Sequence, residues 1–198
     1  YIDNRVIAKA EAPLEPQGGL VGLFGNLAPR GAVLKRSAAD ETLFEKIGRA
    51  VVFNSLEDLA NRIDDPDLDI TKDDFMVLQN AGPKSASGMP EAGYPPIPKK
   101  LSSQGVKDMV RISDARMSGT AFGTIILHVA PEASVGGPLA LVHNGDQIKL
   151  SVANKSIELL VSDEELAQRK SEWKSDNVPP EQRRGYDRLY AAEVSQAD

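Results

Sequence analysis

Cysteine is absent from the 198 residues, and histidine occurs twice, at His128 and His143. The first absence excludes disulfides, a thiol nucleophile and any cysteine-ligated cluster held by this chain alone. The second argues against a histidine-rich metal site, and His128, inside TIILHVAP, is expected to be a satisfied core or strand histidine. Long apolar runs are missing too: none approaches the ~18 to 20 residues that span a bilayer. The opening stretch YIDNRVIAKAEAPLEP has neither a basic n-region nor an apolar h-region, so no signal peptide is visible. A cytoplasmic setting without a membrane partner is the expectation. Nor is there an excess of basic charge. The net charge is −6 with acids and bases mixed along the chain, which argues against a nucleic-acid surface.

What is present suits an ordinary soluble globular protein. Hydrophobic residues make up 41% and charged residues 26%, enough apolar material for a real core in one large domain or a domain with an appendage. The densest acidic stretch, DDPDLDITKDD at Asp64 to Asp74, lacks the sixth-position glycine and the closing glutamate of an EF-hand loop. It reads as a solvated loop.

Short apolar pieces between glycines in EAPLEPQGGLVGLFGNLAPRGAVLK read as strands and tight turns. AVLK, RAVVF, FMVLQ, KDMVRIS, GTIILHVA, PLALVHN, DQIKLSV and SIELLVS are strand candidates. SLEDLANRI carries an N-capping serine with Leu56, Leu59 and Ile63 at helical spacing. LVHNGDQIKL reads as a hairpin about Asn144-Gly145, a pair suited to a type I′ turn. SDEELAQRKSEW opens with Ser162 and Glu165 in a capping box and reads as a polar helix. Beyond it lies a charged arm or short helix, whose Tyr186, Leu189 and Tyr190 could anchor it to the body or to a partner. The expected class is therefore α+β, β-rich, with few helices, divided into a main unit over 1–161 and a C-terminal helix and arm over 162–198.

Two polar segments stand out. NAGPKSASGMPEAGYPPIPKK is a long loop rich in Gly, Pro and Ser, and such a loop inside a compact domain is usually functional or disordered. RISDARMSGTAFG places small and polar groups directly before an apolar strand. Its Ser118-Gly119-Thr120 permits close backbone approach and could turn consecutive amides toward an anion. Asp114 and Arg116 could pair with each other, or the arginine fork could orient a carboxylate. Composition alone equally allows a strand-connecting turn with local hydrogen bonds.

The segments GGLVGLFGNLAPRGAVLKRSA, LQNAGPKSASGMPE, RISDARMSGTAFGTIILHVAPEA and GGPLALVHNGDQIKLSV, in this order, closely resemble the C-terminal part of the dihydroxy-acid dehydratase/6-phosphogluconate dehydratase family. The resemblance covers nearly the whole chain. SDARMSGTAFG, rather than a DGRFSGG-like form, looks more like the sugar-acid branch (arabinonate and xylonate dehydratases) than the branched-chain amino-acid enzymes. The resemblance implies a swivelling β/β/α domain with a barrel-like mixed sheet. It also implies a separate N-terminal domain, absent from this chain, that holds an iron–sulfur cluster (2Fe–2S or 4Fe–4S) through three cysteines, together with most ligands of a Mg²⁺ ion.

Family members convert a 2,3-dihydroxy acid into a 2-keto-3-deoxy acid, with cluster and Mg²⁺ acting as Lewis acids. By position in SDARMSGT, Ser118 matches the family's serine base. Glu91 in SGMPE matches the Mg²⁺ ligand contributed by this domain. Asp114, Arg116, Gly119 and Thr120 are implied to surround the substrate, Lys84 is left unassigned, and Asn26 is expected to be structural. The partners implied are a sugar acid, the N-terminal domain and further copies in a full-length homo-oligomer, with this chain inactive alone. Two other readings stand beside this one: a branched-chain dihydroxy-acid dehydratase domain, and a stand-alone domain that binds a ligand or partner without chemistry.

Overall fold

The strands are apolar on both faces, and the structure puts both faces to use. In Glu45–Phe53 (β3), Ala50 and Val52 point one way while Val51 and Phe53 point the other, and all are buried. The same alternation splits Phe75–Leu78 (β4) into Phe75 and Val77 against Met76 and Leu78. Such double burial is what strands covered on both sides require. The protein is described by a computed structural model that covers residues 3, 6–86, 95–175 and 179–197.

Six further strands complete one sheet: Val21–Leu23 (β1), Gly31–Leu34 (β2), Arg111–Ser113 (β5), Ile125–Ala130 (β6), Gln147–Ser151 (β7) and Ser156–Leu159 (β8). Their order is β1-β2-β6-β5-β4-β3-β7-β8. The central pairs β3/β4, β4/β5 and β5/β6 are parallel, and the flanking pairs are antiparallel. The outer strands nearly meet. Phe24, just past β1, bridges Ser156 in parallel; its N–H donates to Lys155 O at 2.9 Å, and Ile157 N–H donates to Phe24 O at 2.8 Å. Asn26 extends this seam, giving its side-chain amide to Leu159 O (2.8 Å) and accepting Leu159 N–H (2.7 Å), so its role is structural as expected. The result is a nearly closed, barrel-like mixed sheet.

Residues from all eight strands, among them Leu23, Leu34, Val52, Ile112, Ile148 and Leu159, fill the barrel interior. The outer face of the parallel strands is covered by Leu56–Arg62 (α1) and Lys99–Ser102 (α2), which contribute Leu59 and Leu101. Ser55 caps α1 as read from sequence, its hydroxyl accepting Asp58 N–H at 3.1 Å. Ser162 likewise caps Asp163–Glu172 (α3), and Arg169 of that helix ties it to the barrel through Leu141 O (2.8 Å) and Asp146 (2.5 Å). Gly185–Glu193 (α4) follows. No helix among the described residues is long and apolar enough to cross a membrane.

Three local expectations change. PLALVHN is not a strand: Pro138–Leu141 forms a 3-10 turn whose Leu139 and Val142 carbonyls accept the Gln79 side-chain amide. Asn144-Gly145 therefore caps no hairpin; Asn144 Oδ1 instead accepts Val52 N–H at 2.7 Å. The hairpin runs between β7 and β8, with Ser151 paired to Ser156. Of the three expected anchors on α4, Tyr186 and Leu189 are 80% and 66% exposed and do not pack on the body, whereas Tyr190 is half-buried. Ala197, at 7% exposure, is the residue that docks.

One irregularity matters for the site. Gly31 pairs with Ala130 but Val33 pairs with Leu127, so β6 carries one residue more than β2 between these points. This is a β-bulge, and within it His128 takes φ +57. Leu127 faces outward, yet Val129, two residues on, faces the interior. The bulge has stepped the alternation by one and re-aimed the histidine.

Candidate active site

Ligand sites in parallel sheets gather at the carboxyl ends of the strands. Here β4 and β5 are in register as Leu78↔Ser113, and the loops that follow them leave side by side. The loop after β5 is DARMSGTAFGT, and the loop after β4 runs toward the segment 87–94. Buried Arg111 holds them together. Its guanidinium donates to Pro95 O (3.1 Å), beyond the loop after β4, and to Phe122 O (3.3 Å), in the loop after β5. The Asp108 carboxylate balances this charge at 2.8 Å and also accepts Thr124 N–H. Gly123, at φ +97, has no room for a Cβ beside that guanidinium, so glycine is required there.

Ser118 sits half-buried on the loop, with Gly119 and Thr120 exposed beside it. The Ser118 hydroxyl oxygen lies 2.9 Å from the Thr120 hydroxyl and accepts Thr120 N–H at 3.2 Å. Lys35 donates its ammonium to Gly119 O at 2.6 Å. A Cβ on Gly119 would meet nothing within 4 Å, so this glycine keeps the main chain open to approach from outside. Ser118, Lys35, Met117 and His128, with Leu20 and Val33, line an open cleft of about 570 Å³. Its chemistry is a hydroxyl with a donor amide and a nearby cation, set in a largely apolar wall.

The other expected site residues fall differently. Arg116 is half-buried on the same loop. Asp114 is fully buried, with one oxygen accepting Ala81 N–H and the other Ala133 N–H, each at 2.9 Å. Burial pushes its pKa up against those amides. In this arrangement it joins three loops and does not face the cleft. Glu91 lies outside the described residues. Among the described residues no three His, Asp or Glu side chains come together as a metal site, and there is no cysteine to hold a cluster. Taken alone, these residues do not fit a resident Mg²⁺ or iron–sulfur centre.

Residues that sequence reasoning missed complete the surroundings. Glu132 is fully buried, and its oxygens accept Lys84 N–H and Ala197 N–H, both at 2.8 Å. Burial, reinforced by the Asp114 charge, pushes its carboxyl up to about 7. Gly82 has no Cβ because one would fall against this carboxylate. His128, read as a satisfied strand histidine, does have both nitrogens engaged, but by a loop and by the segment after α4. Nothing in a single sequence pairs Lys35 with Gly119, Glu132 with Lys84 or Ala197 with His128, since each contact bridges dozens of residues.

Comparison with known proteins agrees with this architecture. The family model described as Dihydroxy-acid/6-phosphogluconate dehydratase C-terminal matches residues 5–198. An L-arabinonate dehydratase from Rhizobium leguminosarum bv. trifolii is 52% identical over 98% of the chain and 33% of its own length. A 6-deoxy-6-sulfo-D-gluconate dehydratase from Pseudomonas putida is 49% identical over 100% of the chain and 33% of its own length. A dihydroxy-acid dehydratase from Thermus thermophilus is 40% identical over 98% of the chain and 34% of its own length. The chain thus spans about a third of the length of the curated relatives it matches. It belongs to the dihydroxy-acid/6-phosphogluconate dehydratase family, whose C-terminal domain it matches over nearly its whole length.

Proposed function

We propose that this chain is the C-terminal domain of a hydro-lyase that dehydrates a 2,3-dihydroxy sugar acid to a 2-keto-3-deoxy acid, with Ser118 as the base. The observation that carries the reading is the Ser118 hydroxyl, held at the cleft and hydrogen-bonded by Thr120 N–H at 3.2 Å. A neutral serine is a weak base, so the role needs its oxygen anion stabilised. The Thr120 amide and hydroxyl act directly on that oxygen, and the Lys35 ammonium on Gly119 O adds positive charge close by. The C2 proton passes to Ser118 Oγ, the C3 hydroxyl leaves as water after taking up a proton, and the resulting enol tautomerises to the ketone. Arg116, Gly119 and Thr120 would border the substrate.

The cluster and Mg²⁺ enter this proposal as groups held by a separate N-terminal domain, with Glu91 adding one Mg²⁺ ligand, and the chain alone would not turn over. A sugar acid is favoured over a branched-chain substrate by identities of 52% and 49% to relatives named for sugar-acid substrates, against 40% to the dihydroxy-acid dehydratase. The test is a substrate panel on the full-length enzyme, with keto acid as the readout. Pentonates or hexonates should react, and Ser118→Ala should abolish turnover without unfolding the protein. Turnover of branched-chain dihydroxy acids alone would move the substrate assignment. Substantial activity in Ser118→Ala would remove serine from the base role, and no keto acid from any substrate would leave a binding domain.

A further inference from the structure

The histidine on the bulge of β6 has a specific set of partners. His128 Nε2 lies 2.8 Å from Met117 N, and a main-chain amide can only donate, so Nε2 accepts. Nδ1 lies 2.5 Å from Ala197 O, and a carbonyl can only accept, so Nδ1 carries the proton. One tautomer satisfies both. The accepted amide belongs to the residue immediately before Ser118, and the ring itself lines the same cleft.

This arrangement is costly to build. A left-handed φ is unusual for a non-glycine residue, and strained backbone of this kind persists where the surroundings over-determine it. The surroundings here are explicit. His128 N–H donates to Ala115 O at 2.9 Å, which ties the bulge to the start of the Ser118 loop. The segment after α4 is gripped three times: Gln196 Oε1 accepts Glu132 N–H (2.9 Å), Ala197 N–H donates to Glu132 (2.8 Å), and Ala197 O accepts from His128. Glu132 also holds Lys84 N–H, so the loop that leads toward residues 87–94 is attached to the same strap.

We propose that His128 is a positioning residue for Ser118, and that residues 194–197 form a strap that fixes its ring in the tautomer able to hold the Met117 amide. The proposal rests on the dehydratase reading only for what Ser118 does, since the clamp itself is a property of this chain. Without it, the Met117–Ser118–Gly119 backbone loses the anchor on its leading side and keeps Lys35 on Gly119 O and Ala121 N–H on Ser118 O.

Two measurements decide it. Imidazole ¹⁵N shifts of the 198-residue chain, in which only two histidines resonate, read the tautomer directly. His128 should be protonated at Nδ1 alone, and truncation after Glu193 should destroy that fixed state; an Nε2-protonated ring, or a ring unchanged by truncation, would overturn the clamp. In the full-length enzyme, His128→Asn keeps a donor near Ala197 O but loses the acceptor for Met117. It should lower kcat by on the order of 10- to 100-fold with little change in KM, the scale of a slightly misplaced reacting group. His128→Gln, whose Oε1 reaches as far as Nε2, should recover much of that loss. Equal loss in both variants with unchanged KM, or no loss in either, would count against positioning through Met117. If the wild-type enzyme makes no keto acid, the dehydratase reading falls while the ¹⁵N result still decides the clamp.

Discussion

Leu78 and Ser113 are register partners at the carboxyl ends of adjacent parallel strands, and the loops that follow them meet again on one buried arginine. That relationship brings the loop holding Ser118 and the loop that follows β4 out of the sheet side by side although their sequences lie far apart. Loops on a common sheet edge are where chemistry is usually placed, and here the barrel supplies that edge.

Asp114 provides the first prediction. Both of its oxygens accept main-chain amides from different loops, so Asp114→Ala should orphan two buried donors. A loss of about 2 to 5 kcal/mol is expected in urea denaturation of the chain. A variant of unchanged stability but weakened substrate binding would restore Asp114 to a direct role at the substrate.

Glu132 makes stability depend on pH in a defined direction. Its folded-state pKa of about 7 exceeds the ordinary value of 4.5. Its contribution is therefore fully present below pH 4.5, where it is protonated in both states, and is lost as pH rises through about 7. The shift corresponds to on the order of 3 kcal/mol. Glu132→Gln cannot ionise, so its stability should fall less between pH 5 and pH 8 than that of the wild type, even if the amide costs one hydrogen bond. Parallel curves would show that Glu132 titrates normally.

Much of the fold was legible because strands buried on both faces read as short apolar runs bounded by turn residues. FMVLQ, KDMVRIS, GTIILHVA and SIELLVS each contain a strand, though only Arg111–Ser113 of KDMVRIS is one, and the caps at Ser55 and Ser162 form where they were read. What escaped was non-local. Asn144-Gly145 carries the local chemistry of a hairpin, but Gln79 takes the carbonyls of the preceding segment and Val52 takes the asparagine. The alternation in IILHVA gives no hint of a bulge, because an inserted residue shows only against its partner strand. Tyr186, Leu189 and Tyr190 looked like anchors by size; the first two are exposed and only Tyr190 is half-buried, while the small Ala197 docks through its main-chain groups. Ser118, Gly119 and Thr120 were singled out through their motif, whereas Lys35 and His128 come to the Ser118 cleft only through the folded chain.

Thr120 separates the two stabilising contacts on Ser118. Thr120→Val removes the hydroxyl at 2.9 Å but leaves the main-chain amide at 3.2 Å. Because the residue is exposed, stability should stay within about 0.5 kcal/mol. In the full-length enzyme kcat should fall by roughly tenfold, equivalent to about 1.4 kcal/mol of transition-state stabilisation. An unaltered kcat would leave the amide as the contact that matters.

Glu91 is tested by metal dependence. The described residues on either side of its segment are anchored: Lys84 N–H on Glu132 before it and Pro95 O on Arg111 after it. Glu91 itself lies outside the described residues, and its proposed role as a Mg²⁺ ligand rests on its motif, SGMPE. Glu91→Gln keeps the size and removes the charge, and a hard divalent cation prefers anionic oxygen. The expected outcome in the full-length enzyme is a Mg²⁺ titration displaced to higher concentration, with the stability of this domain unchanged. A superimposable titration would remove Glu91 from the ligand set, leaving the base role of Ser118 to stand or fall on its own variant.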